Sequence, residues 1–281
     1  MRYTKKVLAS LTAVVVMLAM MTMAFAAEGT VDWNKGVIRV TGIGAGKTAY
    51  QKKQSGVYRA QAKRAAMMDA QRNLSETIKG VHVTSDSTME DMILQSDVVR
   101  TRVDAIIKGM SEVSSKYYED GTYEVVLEMP LFGASNSLSE AAFIPIKDEP
   151  KVSFPEPTNL TSVNQPTVIN NNYTGLVIDC SGMNINCVMS PVIKNANGQA
   201  IYGHQNLDYD KIIVNGMASY ANTANDQISR SRAGNNPLIV KAISLSDINA
   251  NPVVSVEDAD KILIANQHDK FLDKCAVVFV K

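Results

Sequence analysis

The sequence predicts an α+β protein built as two mixed α/β domains. Three observations lead there. Short apolar runs of strand character alternate with longer segments of helical period. Asp120-Gly121 and Asn197-Gly198 each sit between two such short runs, which is a hairpin signal. Between the two regions lies a stretch, 146–172, with Pro150, Pro155, Pro157 and Pro166 and a closing run of asparagines. Such a composition reads as an extended linker. The expected units are therefore 31–145 and 173–281, each long enough to bury apolar residues of its own.

In the first unit the predicted order is β-α-β-α-β-β, a sheet with both helices on one face. Val37 to Val40 form a short strand that runs into Gly42, Gly44 and Gly46. A helix over 57–79 places Ala60, Met67, Ala70, Leu74 and Ile78 on one stripe, and Gly80 is suited to a left-handed end. Asp69, Arg72, Asn73 and Glu76 fall on the opposite face. Val81 to Thr84 read as a second strand. A second helix over 89–110 carries Met92, Val99, Val103, Ile106 and Met110 on one side. Strands over 112–118 and 122–130 then pair about Asp120-Gly121.

The second unit opens with an apolar strand over 175–180. A hairpin follows about Asn197-Gly198, then a helical region over 208–232 that is weakened at Gly216 and closed by Gly234. A strand covers 238–242, and Ser255 to Asp258 cap a further helix. The run Ala276 to Val280 is nearly all apolar and therefore reads as a central strand.

The N-terminus has the composition of an export signal. Arg2, Lys5 and Lys6 precede an apolar run, and Ala24 and Ala26 occupy the small-residue positions of a cleavage site, so 1–26 is expected to be removed. The full chain has 28 basic and 28 acidic side chains; without the three in the leader the balance is 25 to 28, a net of −3. A mildly acidic chain argues against nucleic acid and against charge-driven membrane binding. No later stretch is long or apolar enough to span a bilayer.

Export also bears on the chemistry. ATP, GTP and NAD are scarce beyond the inner membrane. The segment Gly42 to Thr48 invites a phosphate-loop reading, but such a loop requires glycine five residues before the Gly46-Lys47 pair, and Thr41 stands there. No nucleotide and no other cofactor is expected. Disulfides become permissible. Cys180 and Cys187 flank a turn and are candidates for a bridge; buried free thiols are the equal alternative for these two and Cys275. No metal site is expected, since His82, His204 and His268 are scattered and no C-x-x-C occurs. No G-x-S-x-G elbow raises a hydrolase reading, and no residue is assigned as catalytic. The face of Asp69, Arg72, Asn73 and Glu76 is a candidate interaction surface beside its plainer reading as salt-bridged surface. Tyr202, His204 and Tyr209 form a candidate ligand loop.

One resemblance emerges from particular residues. Gly42-x-Gly44-x-Gly46 is followed by Ala60-Gln61-Ala62, then Ala65-x-x-x-Asp69-Ala70-x-x-Asn73-Leu74, Ile78-x-Gly80-Val81, Val83-x-Ser85, and the Tyr-rich strand before Asp120-Gly121-Thr122-Tyr123. Over about 37–133 this resembles the domain shared by small antigenic outer-membrane lipoproteins and the N-terminal region of flagellar assembly protein T. The lipid-accepting cysteine of the lipoprotein members is missing. The resemblance implies an exported, non-enzymatic component of the envelope or surface of a double-membraned bacterium, located in the periplasm or at the cell surface. Such a protein would act through contacts with other envelope proteins or with itself, and a flagellar association belongs to the same analogy. A periplasmic small-ligand or cell-wall-glycan module, and an unrecognised hydrolase, are the alternatives.

Overall fold

The computed structural model describes residues 29–47, 55–158 and 172–281. The predicted export signal with Ala24 and Ala26 lies outside the described residues, as does 159–171 of the proline- and asparagine-rich stretch. The described residues form a mixed α+β fold with three four-stranded sheets.

The first sheet has the order β1-β2-β4-β3 and is antiparallel throughout, with β1 Thr30–Asp32, β2 Val37–Ala45, β3 Glu112–Tyr117 and β4 Thr122–Pro130. Strand β2 is longer than the sequence predicts, because the glycine segment continues the ladder as far as Ala45 opposite Thr122. Its inward side carries Ile38, Val40, Gly42 and Gly44.

Helix α1, Gly56–Lys79, lies on that side. It starts where the Ser55 hydroxyl accepts the Tyr58 N–H at 3.1 Å. Its buried stripe is Tyr58, Ala62, Ala66, Ala70, Leu74 and Ile78, a strict four-residue repeat. The predicted stripe agrees from Ala70 onward but errs at Ala60, which is exposed, and at Met67, which is half-buried. The alanines matter because a Cβ placed on Gly42 would run into the Ala70 amide and the Ala66 carbonyl, and one on Gly44 into the Ala66 amide. Helix backbone and strand backbone are thus in contact, which only side chains this small allow. Gly80 ends the helix in a right-handed conformation, φ −76°, rather than a left-handed one.

Two further elements differ from expectation. Val81 to Thr84 do not join the sheet. His82 makes one antiparallel bridge with Thr88, and the Val83 N–H donates to Ser87 O at 2.9 Å. The predicted helix over 89–110 is two helices, α2 Met89–Gln95 and α3 Asp97–Gly109. Ser96 divides them: extended at φ −138°, it closes α2 through its N–H and starts α3 by accepting the Val99 N–H on its hydroxyl. A serine that offers a cap competes with continuation of the helix. Gln71 of α1 donates to Ile107 O of α3 at 3.3 Å, so the two helices lie side by side. Short helix α4, Ser139–Ala142, follows.

The second half holds two sheets. One has the order β10-β11-β6-β7, with β6 Ile193–Asn195, β7 Ala200–Tyr202, β10 Ser244–Ser246 and β11 Asn251–Val254. The other is wholly parallel, β8-β12-β5-β9, with β5 Gly175–Asp179, β8 Ser219–Ala221, β9 Pro237–Lys241 and β12 Val277–Val280. β12 is central, as its apolar run predicts. Val278 and Val280 face helix α6, Gln227–Ala233, beside Val177 and Ala221, while Val277 and Phe279 join the main core. A strand buried on both faces has no polar position to offer. The predicted helical region over 208–232 contains helix α5, Tyr209–Asn215, then β8, then α6. Gly216, at φ +70°, ends α5, and Tyr220 is drawn into the parallel ladder opposite Phe279. The last helix, α7 Val256–Asp269, begins at Ser255 as expected.

The main apolar cluster runs unbroken from Ile38 and Leu74 to Tyr220 and Phe279. Backbone bonds cross between the halves: Met189 N–H to His82 O at 3.1 Å, Ser190 N–H to Val83 O at 2.7 Å, and Gly133 N–H to Ile213 O at 3.0 Å. The buried Ser139 hydroxyl also donates to Ile213 O, at 2.8 Å. Residues 151–153 lie along the second half, with Val152 N–H donating to Gln205 O at 2.7 Å.

Candidate functional site

Two surfaces singled out from the sequence have a definite geometry. The first is the polar face of α1. Two of its four residues point to β2. Strand β1 pairs with β2 only over Val37 to Arg39, which leaves the outer edge of β2 without a ladder partner beyond that point. Asp69 Oδ2 accepts the Ile43 N–H at 3.0 Å, and Asn73 Nδ2 donates to Thr41 O at 2.8 Å. These side chains complete an exposed strand edge, which otherwise invites pairing with another chain. Arg72 pairs with Asp69, and Glu76 with Lys79 at 2.9 Å, both at the surface. The face is therefore part structural clamp and part solvated ion pairs.

The second surface is the loop after β7. The structure separates its three residues. Tyr202 is fully buried and donates its hydroxyl to Met217 O at 2.6 Å; burial pushes its phenol well above the ordinary tyrosine range. It belongs to the core. His204 and Tyr209 do come together, in a cavity of about 110 Å³ whose walls include Glu149, Lys151, Asp208 and Ile212. His204 Nε2 lies 3.4 Å from Glu149 Oε2. Tyr209 is half-buried, and burial again raises its phenol pKa, with Asp210 and Asp148 adding to the effect. Sites for drug-sized ligands run to several hundred Å3. The cavity suits a few water molecules or a very small polar group.

Cys180, Cys187 and Cys275 are free thiols, and no bridge joins Cys180 to Cys187 in this structure. Burial pushes the Cys180 thiol up to about 12 and the Cys187 thiol up to about 11. Thiolates are scarce at such values, so neither is poised as a nucleophile. The carboxylates at the start of α7 are structural: Ser255 accepts the Asp258 N–H at 3.0 Å, and Asp258 pairs with Lys261. Asp260 receives the Thr158 N–H at 2.7 Å, tying the end of 151–158 to the helix. His268 Nδ1 lies 2.6 Å from Asp269. Among the described residues no three His, Cys, Asp or Glu side chains gather as a metal site, and no helix is long and apolar enough to cross a membrane.

Sequence reasoning did not foresee the contact between the halves. Trp33, in the turn between β1 and β2, stands 5.7 Å from Tyr220 in an edge-to-face arrangement. The signal was present: a lone tryptophan next to a turn. Its partner lay in a stretch read as helix.

Two family models match separate parts of the chain. Residues 175–281 match the family model described as Treponema pallidum Tp0624, second domain. No curated protein matches the chain. Residues 41–129, from strand β2 to strand β4, match the model of the LPP20 lipoprotein family, and to that family this part of the chain is similar.

Proposed function

We propose that this protein is an exported, non-enzymatic component of a bacterial envelope or surface that acts by binding other proteins. The observation that carries the reading is the similarity of 41–129 to a lipoprotein family, a class whose name places its members at membranes. The leader composition of 1–26, with Ala24 and Ala26 as the cleavage positions, supports export. In this reading 31–145 and 173–281 are two domains linked by 146–172, and each presents surface to partners. Contact with other proteins is supported by large apolar side chains left in solvent on the first half: Leu94 is 71% exposed and Val98 62%, on the two helices that Ser96 divides, and Val113 stands exposed on edge strand β3. Exposed apolar surface of this kind marks contact sites when it is contiguous.

Fractionation of cells carrying the tagged full chain, with crosslinking in place, tests this. Recovery outside the cytoplasm with a shortened N-terminus and a defined crosslinked species is the expected result. Recovery of the full-length chain in the cytoplasm overturns it. The flagellar association implied by resemblance is tested separately: deletion in a flagellated host removes motility if it holds and leaves motility intact if it does not.

A small-ligand reading centred on His204 and Tyr209 is favoured only by their shared cavity with Glu149 and Lys151. At about 110 Å³ the cavity admits only a very small polar solute such as acetate, and the reading predicts a thermal shift with that solute that His204→Ala abolishes.

A further inference from the structure

Residues 151–158 belong to no helix or strand, yet they are seated along the second half. In the turn after β7, Gln205 O accepts the Val152 N–H at 2.7 Å, and Asn206 Nδ2 donates to Ser153 O at 3.2 Å and to Val152 O at 3.4 Å. On α7, Asp260 Oδ1 accepts the Thr158 N–H at 2.7 Å, and Gln267 Nε2 donates to Glu156 Oε2 at 3.1 Å. Lys151 Nζ lies 3.6 Å from Asp273 Oδ1. Phe154 packs against the main core, and Pro157 is buried.

This strip has the properties of a peptide seat. Its bonds run chiefly to main chain, at the Val152 N–H and O, Ser153 O and the Thr158 N–H, so another extended segment can make them. The side chains of Lys151, Val152, Ser153, Glu156 and Thr158 stay exposed, which leaves Phe154 and the prolines beside it as the part that is read. Main-chain bonds for affinity and a pocket for specificity are the usual mode of extended-peptide recognition. The receiving groups are built in: Asn206 is 9% exposed and Asp260 8%, and buried polar side chains require partners. The seat is also larger than its occupant. The cavity of about 110 Å³ beside His204 is walled by Glu149, Pro150 and Lys151 and, opposite them, by the turn and α5.

We infer that the strip of Gln205, Asn206 and Asp260 is a docking seat for an extended segment of a partner protein, and that 151–158 closes it in cis as a strap. The partner segment that fits follows the order of Lys151, Phe154, Pro155 and Glu156: a cation, then an aromatic residue followed directly by proline and a carboxylate. The cation meets Asp273, the aromatic ring takes the place of Phe154, and the carboxylate meets Gln267. A tethered occupant competes at an effective concentration on the order of millimolar, so a partner gains the seat only as the strap leaves it. This inference rests on the reading of the protein as one that binds other proteins.

The test uses a fluorescein-labelled peptide of residues 150–158, followed by anisotropy against the full chain. Two variants open the seat. One replaces 151–158 by a glycine–serine run of the same length, which is flexible and carries none of the strap's side chains. The other is Val152→Pro with Thr158→Pro, which removes the two N–H donors at exposed positions and leaves the core untouched. The opened chain binds the peptide saturably, and the unaltered chain binds it at least about tenfold more weakly. Asn206→Ala in the opened chain weakens binding about tenfold, the size of its lost hydrogen bonds, and the peptide with Phe154→Ala loses its binding. No saturable binding by the folded opened chains overturns the inference. So does equal binding by the unaltered chain, or binding unmoved by Asn206→Ala. A dimer of the unaltered chain that the peptide dissolves puts a second copy in the seat and overturns the occupant named here. Crosslinking in cells reports on the wider reading: a crosslinked species without peptide binding removes the seat alone.

Discussion

The ring of Trp33 meets the ring of Tyr220 edge to face, 5.7 Å apart at 76°, and Tyr220 in turn meets Phe279 at 5.8 Å. This aromatic row carries the main core from the first β-hairpin turn into the parallel sheet. Tyr220 is held in place at its other end, where its hydroxyl donates to Val188 O at 3.0 Å and accepts the Val188 N–H at 2.9 Å.

Trp33→Ala removes the first ring of the row. The expected loss is about 2 kcal/mol, from a partly buried indole and an aromatic pair. In the unaltered chain the same tryptophan, the only one present, reports on the contact. Denaturant unfolding followed by its fluorescence and by far-ultraviolet circular dichroism should coincide, because the halves share one apolar cluster. Two separated transitions would show that the halves unfold independently.

Gly42→Ala and Gly44→Ala should each lower stability by about 3 kcal/mol, since the added methyl meets helix backbone rather than a movable side chain. Gly56→Ala is the contrast. Nothing lies within 4 Å of a Cβ at that position, and it opens α1. There the change should be neutral or stabilising by up to about 1 kcal/mol. Thermal melts of the three variants decide it.

The polar face of α1 should divide in two. Asp69→Ala and Asn73→Ala each leave a β2 edge group without its partner, at a cost of about 1–2 kcal/mol. Arg72→Ala and Glu76→Ala remove surface ion pairs and should change stability by less than about 0.5 kcal/mol. Equal effects from all four would contradict the clamp.

Asp247 contributes to the acid limb of stability, alongside Asp91, Asp179, Asp226 and Asp269, whose carboxyls are also held below the usual range. Lys194, Asn251 and Ser246 hydrogen-bond its carboxylate and lower its pKa to about 2. The unfolded value is higher, near 3.8. The group therefore stabilises the fold above about pH 4, and that contribution fades as pH falls toward 2. Asp247→Asn should be less stable at neutral pH and should show a shallower loss between pH 4 and 2. An unchanged acid limb would remove Asp247 from this role.

The thiols should be quiet in the folded protein. Burial holds Cys180 and Cys187 as neutral thiols well above neutral pH, and raises Cys275 in the same direction. Alkylation at pH 8 should be slow in the native state and complete for all three after unfolding. Rapid native labelling would show that they open to solvent.

Much of this architecture is written locally. Periodicity was sufficient to place α1, because a helix covering a sheet must repeat its apolar side chains, but it gave the buried stripe only from Ala70 onward; toward the N-terminus Ala62 and Ala66 are buried in place of Ala60 and Met67. The two Asn-Gly and Asp-Gly hairpins, the Ser255 cap and the central strand β12 are equally local, since a turn residue, a cap or an all-apolar run carries its own reason. Other features depend on partners distant in the chain. Gly42 and Gly44 look like a flexible turn until the alanine stripe of α1 arrives against them. Tyr220 has no strand signal of its own; it becomes one because β12 lies alongside and Trp33 closes over it. Tyr202 looks like a ligand contact beside His204, yet Met217 O, 15 residues away in sequence, draws it into the core. The sequence by itself determined α1, the two hairpin turns, the Ser255 cap and the central strand, but not the break at Ser96 or the strand at Ser219–Ala221. Only the tertiary structure decided which polar side chains are clamps and which are core, because hydrogen-bond partners and burial belong to pairs of residues that folding alone brings together.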